Sequence, residues 1–331
     1  MNRYTSVVNN GLPSFSPAWW LRGQHAQTLG ARFLRPKSGP PVRRERWDTL
    51  DGDFLDLDFF EADDHLNDVL VLLLHGLEGS AGSGYVLETA RRLAGRRVSS
   101  VALNFRSCSG ELNRGLRLYH SGETSDLAWV IERLKQEDPN RRLAASGVSL
   151  GGNVLLKYLG ETGSASGLEA AAAWSVPFDL AAGARFMETG FARIYVTRLL
   201  RSLKAKVRAR WEELGPLIDL ERTLDASTFW DFDDAATAPL HGFDGADDYY
   251  ARSSCGQFLP KITVPTLVIH SRDDPFVPSH AVPETVLDDN PSITPVITDH
   301  GGHVGFVSGT NPFSPHFWTE DTIARWIGDR I

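Results

Sequence analysis

A serine flanked by glycines, set between an apolar strand and an amphipathic helix, constrains this chain more than any other feature. Gly147-Val148-Ser149-Leu150-Gly151-Gly152 follows Leu143-Ala144-Ala145 and opens a helical pattern carrying Val154, Leu155, Tyr158 and Leu159. A nucleophilic serine must stand clear of a sheet on a tight strand-to-helix turn, and glycines two residues to either side permit that close backbone approach. The first turn of the helix also offers N–H groups to a developing oxyanion. A bare G-x-S-x-G occurs often by chance, whereas one in this strand–helix setting is far more specific.

The surroundings repeat the same strand–helix rhythm. Candidate strands are Val69 to Leu74, Val98 to Phe105, Leu143 to Gly147, Ala170 to Val176, Pro265 to Ser271 and Thr294 to Thr298. Most are unbroken apolar strings, as in strands buried on both faces. Candidate helices near Ser83–Ala94, Thr124–Gln136 and Leu150–Gly160 lie between them. The alternation predicts an α/β fold with a mostly parallel sheet flanked by helices. At the start, Arg44 to Leu50 and Phe54 to Phe60 flank Asp51-Gly52-Asp53, which predicts an antiparallel hairpin at the sheet edge.

Composition narrows the function classes. With 34 Lys+Arg against 42 Asp+Glu the net charge is −8, so nucleic acid is not the expected partner. Two cysteines, Cys108 and Cys255, are too few for a disulfide framework or a cysteine-ligated zinc site, and the ten histidines show no metal-ligand spacing. No metal is expected. Met1–Asn10 lacks the charged-then-apolar run of a signal peptide, and no apolar run reaches the ~18 residues of a membrane span. The expected location is cytoplasmic.

A nucleophilic serine needs a base, and the base needs an orienting carboxylate. Past the strand ending at Ser271 comes Arg272-Asp273-Asp274-Pro275-Phe276-Val277-Pro278; Asp274 is the preferred acid, with Asp273 the alternative. Past Thr298 comes Asp299-His300-Gly301-Gly302-His303-Val304-Gly305-Phe306. His303 is the preferred base, and His300 an alternative or a supporting loop residue. His75-Gly76-Leu77-Glu78-Gly79 follows the first parallel strand, so the Leu77 N–H is expected to join the Leu150 N–H as oxyanion donors, with His75 structural. The glycines of this loop fit neither a dinucleotide fingerprint nor a phosphate loop.

From Asp179 to Ser254 the rhythm breaks. Phe191–Arg210 holds seven basic residues and no acidic one, and Asp225–Tyr250 holds seven aspartates and no Lys or Arg. Leu199, Leu203, Val207 and Trp211 form an apolar stripe beside Arg201, Lys204 and Arg208. The stripe predicts a helix packed on the main domain, compatible with a cap over a pocket, its basic face in water or against an anionic membrane. Phe186, Phe191, Tyr195, Trp211, Phe229 and Trp230 hint at an apolar acyl pocket.

With these elements in order, the chain resembles the YheT-like family of the α/β-hydrolase fold. The resemblance rests on Phe15-Ser16-Pro17-Ala18-Trp19-Trp20, Gln24-His25-Ala26-Gln27-Thr28, His75–Ser80, Asn104–Gly110, Tyr119–Thr124 and Gly147–Asn153. Phe232-Asp233-Asp234, Thr237–Phe243 and Asp247–Tyr250 extend it. It implies a hydrolase core over 1–178, a helical cap insertion over 179–254 and the rest of the core over 255–331. It also implies a Ser149–Asp274–His303 triad cleaving carboxylic esters through an acyl-enzyme, with no organic cofactor. The aromatics above, rather than the resemblance, point to small or medium apolar acyl groups, lipid-like ones included. An acyltransferase using the same intermediate, or a non-catalytic ligand-binding protein, is the alternative. Ser107 stands where relatives usually carry Gly, which leaves the role of Arg106 (pocket-facing or structural) and of Cys108 open.

Overall fold

The computed structural model describes residues 11–62 and 68–331; the polar opening Met1–Asn10 lies outside them. Among the described residues eight strands form one sheet: β1 (Val42–Asp48), β2 (Phe54–Phe60), β3 (Val69–Leu74), β4 (Ser99–Asn104), β5 (Arg142–Val148), β6 (Ala170–Trp174), β7 (Thr266–Ser271) and β8 (Ile293–Thr298). Their order is β1-β2-β4-β3-β5-β6-β7-β8. Pairing is parallel from β4 to β8, and antiparallel between β1 and β2 and between β2 and β4. The expected hairpin is present, closed at Gly52 with φ +79°. Across it Arg44 and Arg46 stand directly opposite Asp58 and Asp56 and pair with them, so the polar positions of β2 find partners on the neighbouring strand.

The apolar strings are buried on both faces because helices cover both. Along β3, Leu70, Leu72 and Leu74 enter one core while Val69, Val71 and Leu73 enter the other, the two-residue alternation of a strand. Helices α3 (Ser125–Glu137) and α4 (Leu150–Thr162) pack on the first face. Helix α2 (Gly84–Ala94) and the C-terminal helix Trp318–Gly328 pack on the second. Ahead of the sheet runs α1 (Gln24–Leu34).

Between β6 and β7 the chain runs through α5 (Leu180–Phe186), α6 (Ala192–Ala209) and several short helices. The expected stripe is realised in part. Leu199, Leu203 and Val207 turn inward, but Trp211 is 55 % exposed. The helix ends before it, where the Arg210 guanidinium takes the carbonyls of Asn113, Arg114 and Gly115.

Candidate active site

The carboxyl ends of β3, β5, β7 and β8 carry the loops that meet at one rim of the sheet, where open α/β folds gather their functional groups. Ser149 follows β5 with φ +52° and ψ −117°, and its N–H donates to the Trp174 carbonyl. The glycines around it are sterically required. A Cβ on Gly151 would lie 2.5 Å from the His75 carbonyl oxygen and 2.6 Å from that of Leu74. One on Gly152 would lie 2.8 Å from a Val176 methyl.

His303 Nε2 is 3.0 Å from Ser149 Oγ, and its Nδ1 is 2.8 and 3.1 Å from the two Asp274 carboxylate oxygens. Asp274 and His303 are both buried. The Phe276 N–H donates to Asp274 at 2.7 Å, and the Phe276 ring stacks on His303 with centroids 3.9 Å apart and planes 4° from parallel. The imidazole is thereby fixed at one nitrogen by the carboxylate and over one face by the aromatic ring.

The alternative acid and base meet each other instead. Asp273 accepts from the Gly302 N–H at 2.9 Å and lies 3.3 Å from His300 Nδ1, a side chain 62 % exposed. Asp273 thus braces the histidine loop, and Arg272 pairs with Glu284 and Asp299 rather than with it.

On the opposite side, the Gly76 carbonyl accepts from His75 Nδ1 at 2.7 Å and from the Gly79 N–H at 3.0 Å. A peptide unit is planar and trans, so holding this carbonyl turns the Leu77 N–H the other way. Leu77, Leu150, Ser149 and His303 all line one cavity. Among the described residues neither the Leu77 nor the Leu150 N–H donates to a protein acceptor. His75 is buried with both ring nitrogens used, since Nε2 accepts from the Phe105 N–H at 3.1 Å. Burial pushes its imidazole down to about 4, which fits the structural role expected of it.

The cavity reaches from Ser149 into the β6–β7 segment, with Met187, Leu199, Leu203 and Phe232 among its walls. Of the six aromatics expected to line it only Phe229 does. Phe186, Phe191 and Trp211 are exposed, Tyr195 packs on Phe276, and Trp230 packs on Tyr250 beneath Arg185. Helical spacing marks a face but not the direction it points, and Phe232, Tyr249 and Tyr250 supply the aromatic surface instead.

Arg106 does not face the cavity walls. It is buried and bound to Asp126 at 2.7 and 2.8 Å, to Asp53 at 3.0 Å and to Asp51 at 3.1 Å, pairing with carboxylates rather than carbonyls. Ser107 takes φ +62°, the conformation that favours glycine. Its hydroxyl accepts from the Asn113 N–H at 3.1 Å. Cys108 is half-buried and its thiol is pushed up to about 11 by burial.

Three supporting residues had no role assigned to them from the sequence. The His303 N–H donates to Thr28 Oγ at 2.9 Å, and Gln27 bonds both the N–H and the carbonyl of Val307. The amino-terminal arm therefore holds the histidine loop from behind. His270 is fully buried 3.9 Å from Asp274, and burial pushes it down to about 4.

Among the described residues no group of three or more His, Cys, Asp or Glu could hold a metal ion, and no helix is long and apolar enough to cross a membrane. Residues 69–310 match the alpha/beta hydrolase fold family. The chain is 37% identical to the candidate esterase YheT of Escherichia coli (strain K12), over 95% of this chain and 92% of that protein. It is 32% identical to the phospholipase ABHD3 of Mus musculus, over 90% of this chain and 74% of that protein. Among solved structures the Pyrococcus furiosus esterase Pf2001 shares the fold, with a TM-score of 0.53 at 17% identity over 80% of this chain and 85% of that one.

Proposed function

The chain belongs to the YheT-like hydrolases of the alpha/beta hydrolase fold, and from that premise we propose that it cleaves carboxylic esters through Ser149, His303 and Asp274. The observation that carries the reading is His303 bridging Ser149 Oγ at 3.0 Å and Asp274 at 2.8 Å on the wall of an apolar cavity. In this reading Ser149 Oγ attacks the ester carbonyl while His303 Nε2 takes its proton, and Asp274 stabilises the imidazolium. The Leu77 and Leu150 N–H groups receive the oxyanion, each worth roughly 3 kcal/mol in comparable sites. His303 then returns the proton to the leaving alcohol, and activates water to release the acid from Ser149. The cavity walls favour an apolar acyl group, lipid-like esters included, and the β6–β7 segment serves as the cap.

Arg193, Arg198, Arg201 and Arg208 on the outer face of α6 are exposed and have no carboxylate within ion-pair distance among the described residues. Phe191 and Ile194, 45 % and 59 % exposed, lie at the start of the same helix. These features support contact of that face with an anionic lipid surface.

The test is intact mass after exposure to a fluorophosphonate, wild type beside Ser149→Ala. One adduct on wild type alone is expected, together with ester turnover that drops on the order of 10⁶-fold in the variant. An unlabelled, folded wild type would refute the reading. Product analysis with added alcohols separates hydrolysis from acyl transfer.

A further inference from the structure

The loop that presents the Leu77 N–H contains a residue out of keeping with its backbone. Gly76 to Gly79 form a turn closed by the Gly79 N–H on the Gly76 carbonyl, and its third residue, Glu78, has φ +54°. A turn position with positive φ is one that glycine fills at no steric cost. A glutamate held there points to its side chain.

That side chain reaches across to the β6–β7 segment. Glu78 Oε1 accepts from Lys206 Nζ at 2.6 Å and from the Tyr119 hydroxyl at 2.7 Å, while Oε2 accepts from the Ser202 hydroxyl. The Glu78 N–H donates to Tyr119 Oη at 2.8 Å, and Tyr119 stacks on Phe105. Lys206 also donates to Cys108 Sγ at 3.3 Å. The two charged side chains are only 5 % and 15 % exposed, so the pair is shielded from solvent. Both Ser202 and Lys206 belong to α6, whose inner residues Leu199 and Leu203 line the cavity.

We propose that Glu78 is a positioning residue: bound by Lys206 and Ser202, it holds the turn so that the Leu77 N–H faces the oxyanion position only while α6 is seated on the core. The inference rests on the esterase reading of Ser149. It makes the segment that walls the acyl cavity also the segment that completes the oxyanion site, so that an acyl group which disturbs α6 loses transition-state stabilisation as well as binding.

Glu78→Gln and Lys206→Met, assayed with p-nitrophenyl butyrate, test it. Each is expected to lower kcat by at least about 10-fold, up to the ~10²–10³-fold cost of a missing oxyanion donor, with KM within about 3-fold. The double variant is expected to be no worse than the worse single one, because both remove one interaction. Lys206→Arg should recover most of the rate. Glu78→Gly removes the backbone penalty and keeps the turn, so wild-type kcat in that variant would mean that turn shape alone matters and would overturn the proposal. So would kcat within about 2-fold of wild type in both Glu78→Gln and Lys206→Met. Amide hydrogen exchange separates this inference from the reading beneath it. Faster exchange at Glu78 and Gly79 in Lys206→Met is expected, and unchanged exchange would sink the tether. A wild type inert toward both ester and fluorophosphonate would overturn the Ser149 reading, with the exchange result still deciding whether Lys206 holds the turn.

Discussion

His270 makes acid sensitivity a quantitative matter. Its ring is fully buried, neither nitrogen has a hydrogen-bond partner among the described residues, and burial lowers it from 6.5 to about 4. The unfolded chain binds this proton first, so the histidine's contribution is present above the unfolded pKa and is lost as pH falls from about 6.5 toward 4. Between pH 7 and pH 5 such a group costs the folded state about 2 kcal/mol. His75, lowered likewise to about 4, adds a similar amount in the same direction. Asp233 works the other way. Raised by burial to about 6, it takes up its proton in the folded chain first and offsets about 1 kcal/mol over the same interval. The variant difference is therefore the informative quantity. Urea unfolding of wild type and His270→Phe at pH 7 and pH 5 should show the variant losing about 2 kcal/mol less than wild type on acidification. Overpacking by the larger ring shifts both of the variant's values together and leaves that difference intact. Parallel losses in the two proteins would refute the assignment of a buried neutral imidazole.

Three further outcomes are expected. Gly151→Ala places a Cβ 2.5 Å from the His75 carbonyl oxygen; since the obstacle is backbone, thermal unfolding should show a loss of about 1–3 kcal/mol, and ester turnover should fall with it, whereas an unaltered melting temperature and rate would contradict the close approach. Asp274→Ala should lower kcat on the order of 10⁴-fold and Asp273→Ala by less than about 10-fold, measured on one ester; equal effects would leave the acid unassigned. Arg198→Glu/Arg201→Glu should lose most co-sedimentation with vesicles containing phosphatidylserine, at about 1 kcal/mol per arginine removed, and equal binding of both proteins, or binding to neutral vesicles alone, would remove the lipid-surface contact.

What could be read from the sequence was local. β3 and the turn at Ser149 were legible because an unbroken apolar string and a glycine-flanked serine each state their geometry within a few residues. Asp274 and His303 were legible for the same reason, each lying on a Pro- or Gly-marked loop just past an apolar strand. Thr28 and Gln27 were not, because their bonds to the histidine loop join residues 275 and 280 positions apart. Nor was Glu78. A glutamate in a glycine-containing loop reads as an ordinary loop residue until the fold brings Lys206 to it, 128 positions on. The exposed Phe191 and Trp211 mark the remaining gap, for periodicity does not say which side of a helix meets the core.

The bond from His303 to Thr28 has a bearing on the time order of folding. Ser149 lies 154 positions before its histidine partner, and Thr28, on the arm that steadies that histidine, lies 275 positions before it. During synthesis, with the N-terminal part folding first, β1 to β6 can assemble before Asp274 and His303 have been added to the chain. Loop closures of this span are slow compared with local helix formation. The three side chains of the proposed triad therefore meet only late, and on refolding from denaturant the proposed esterase activity is expected to recover after secondary structure, which parallel activity and circular-dichroism traces would check.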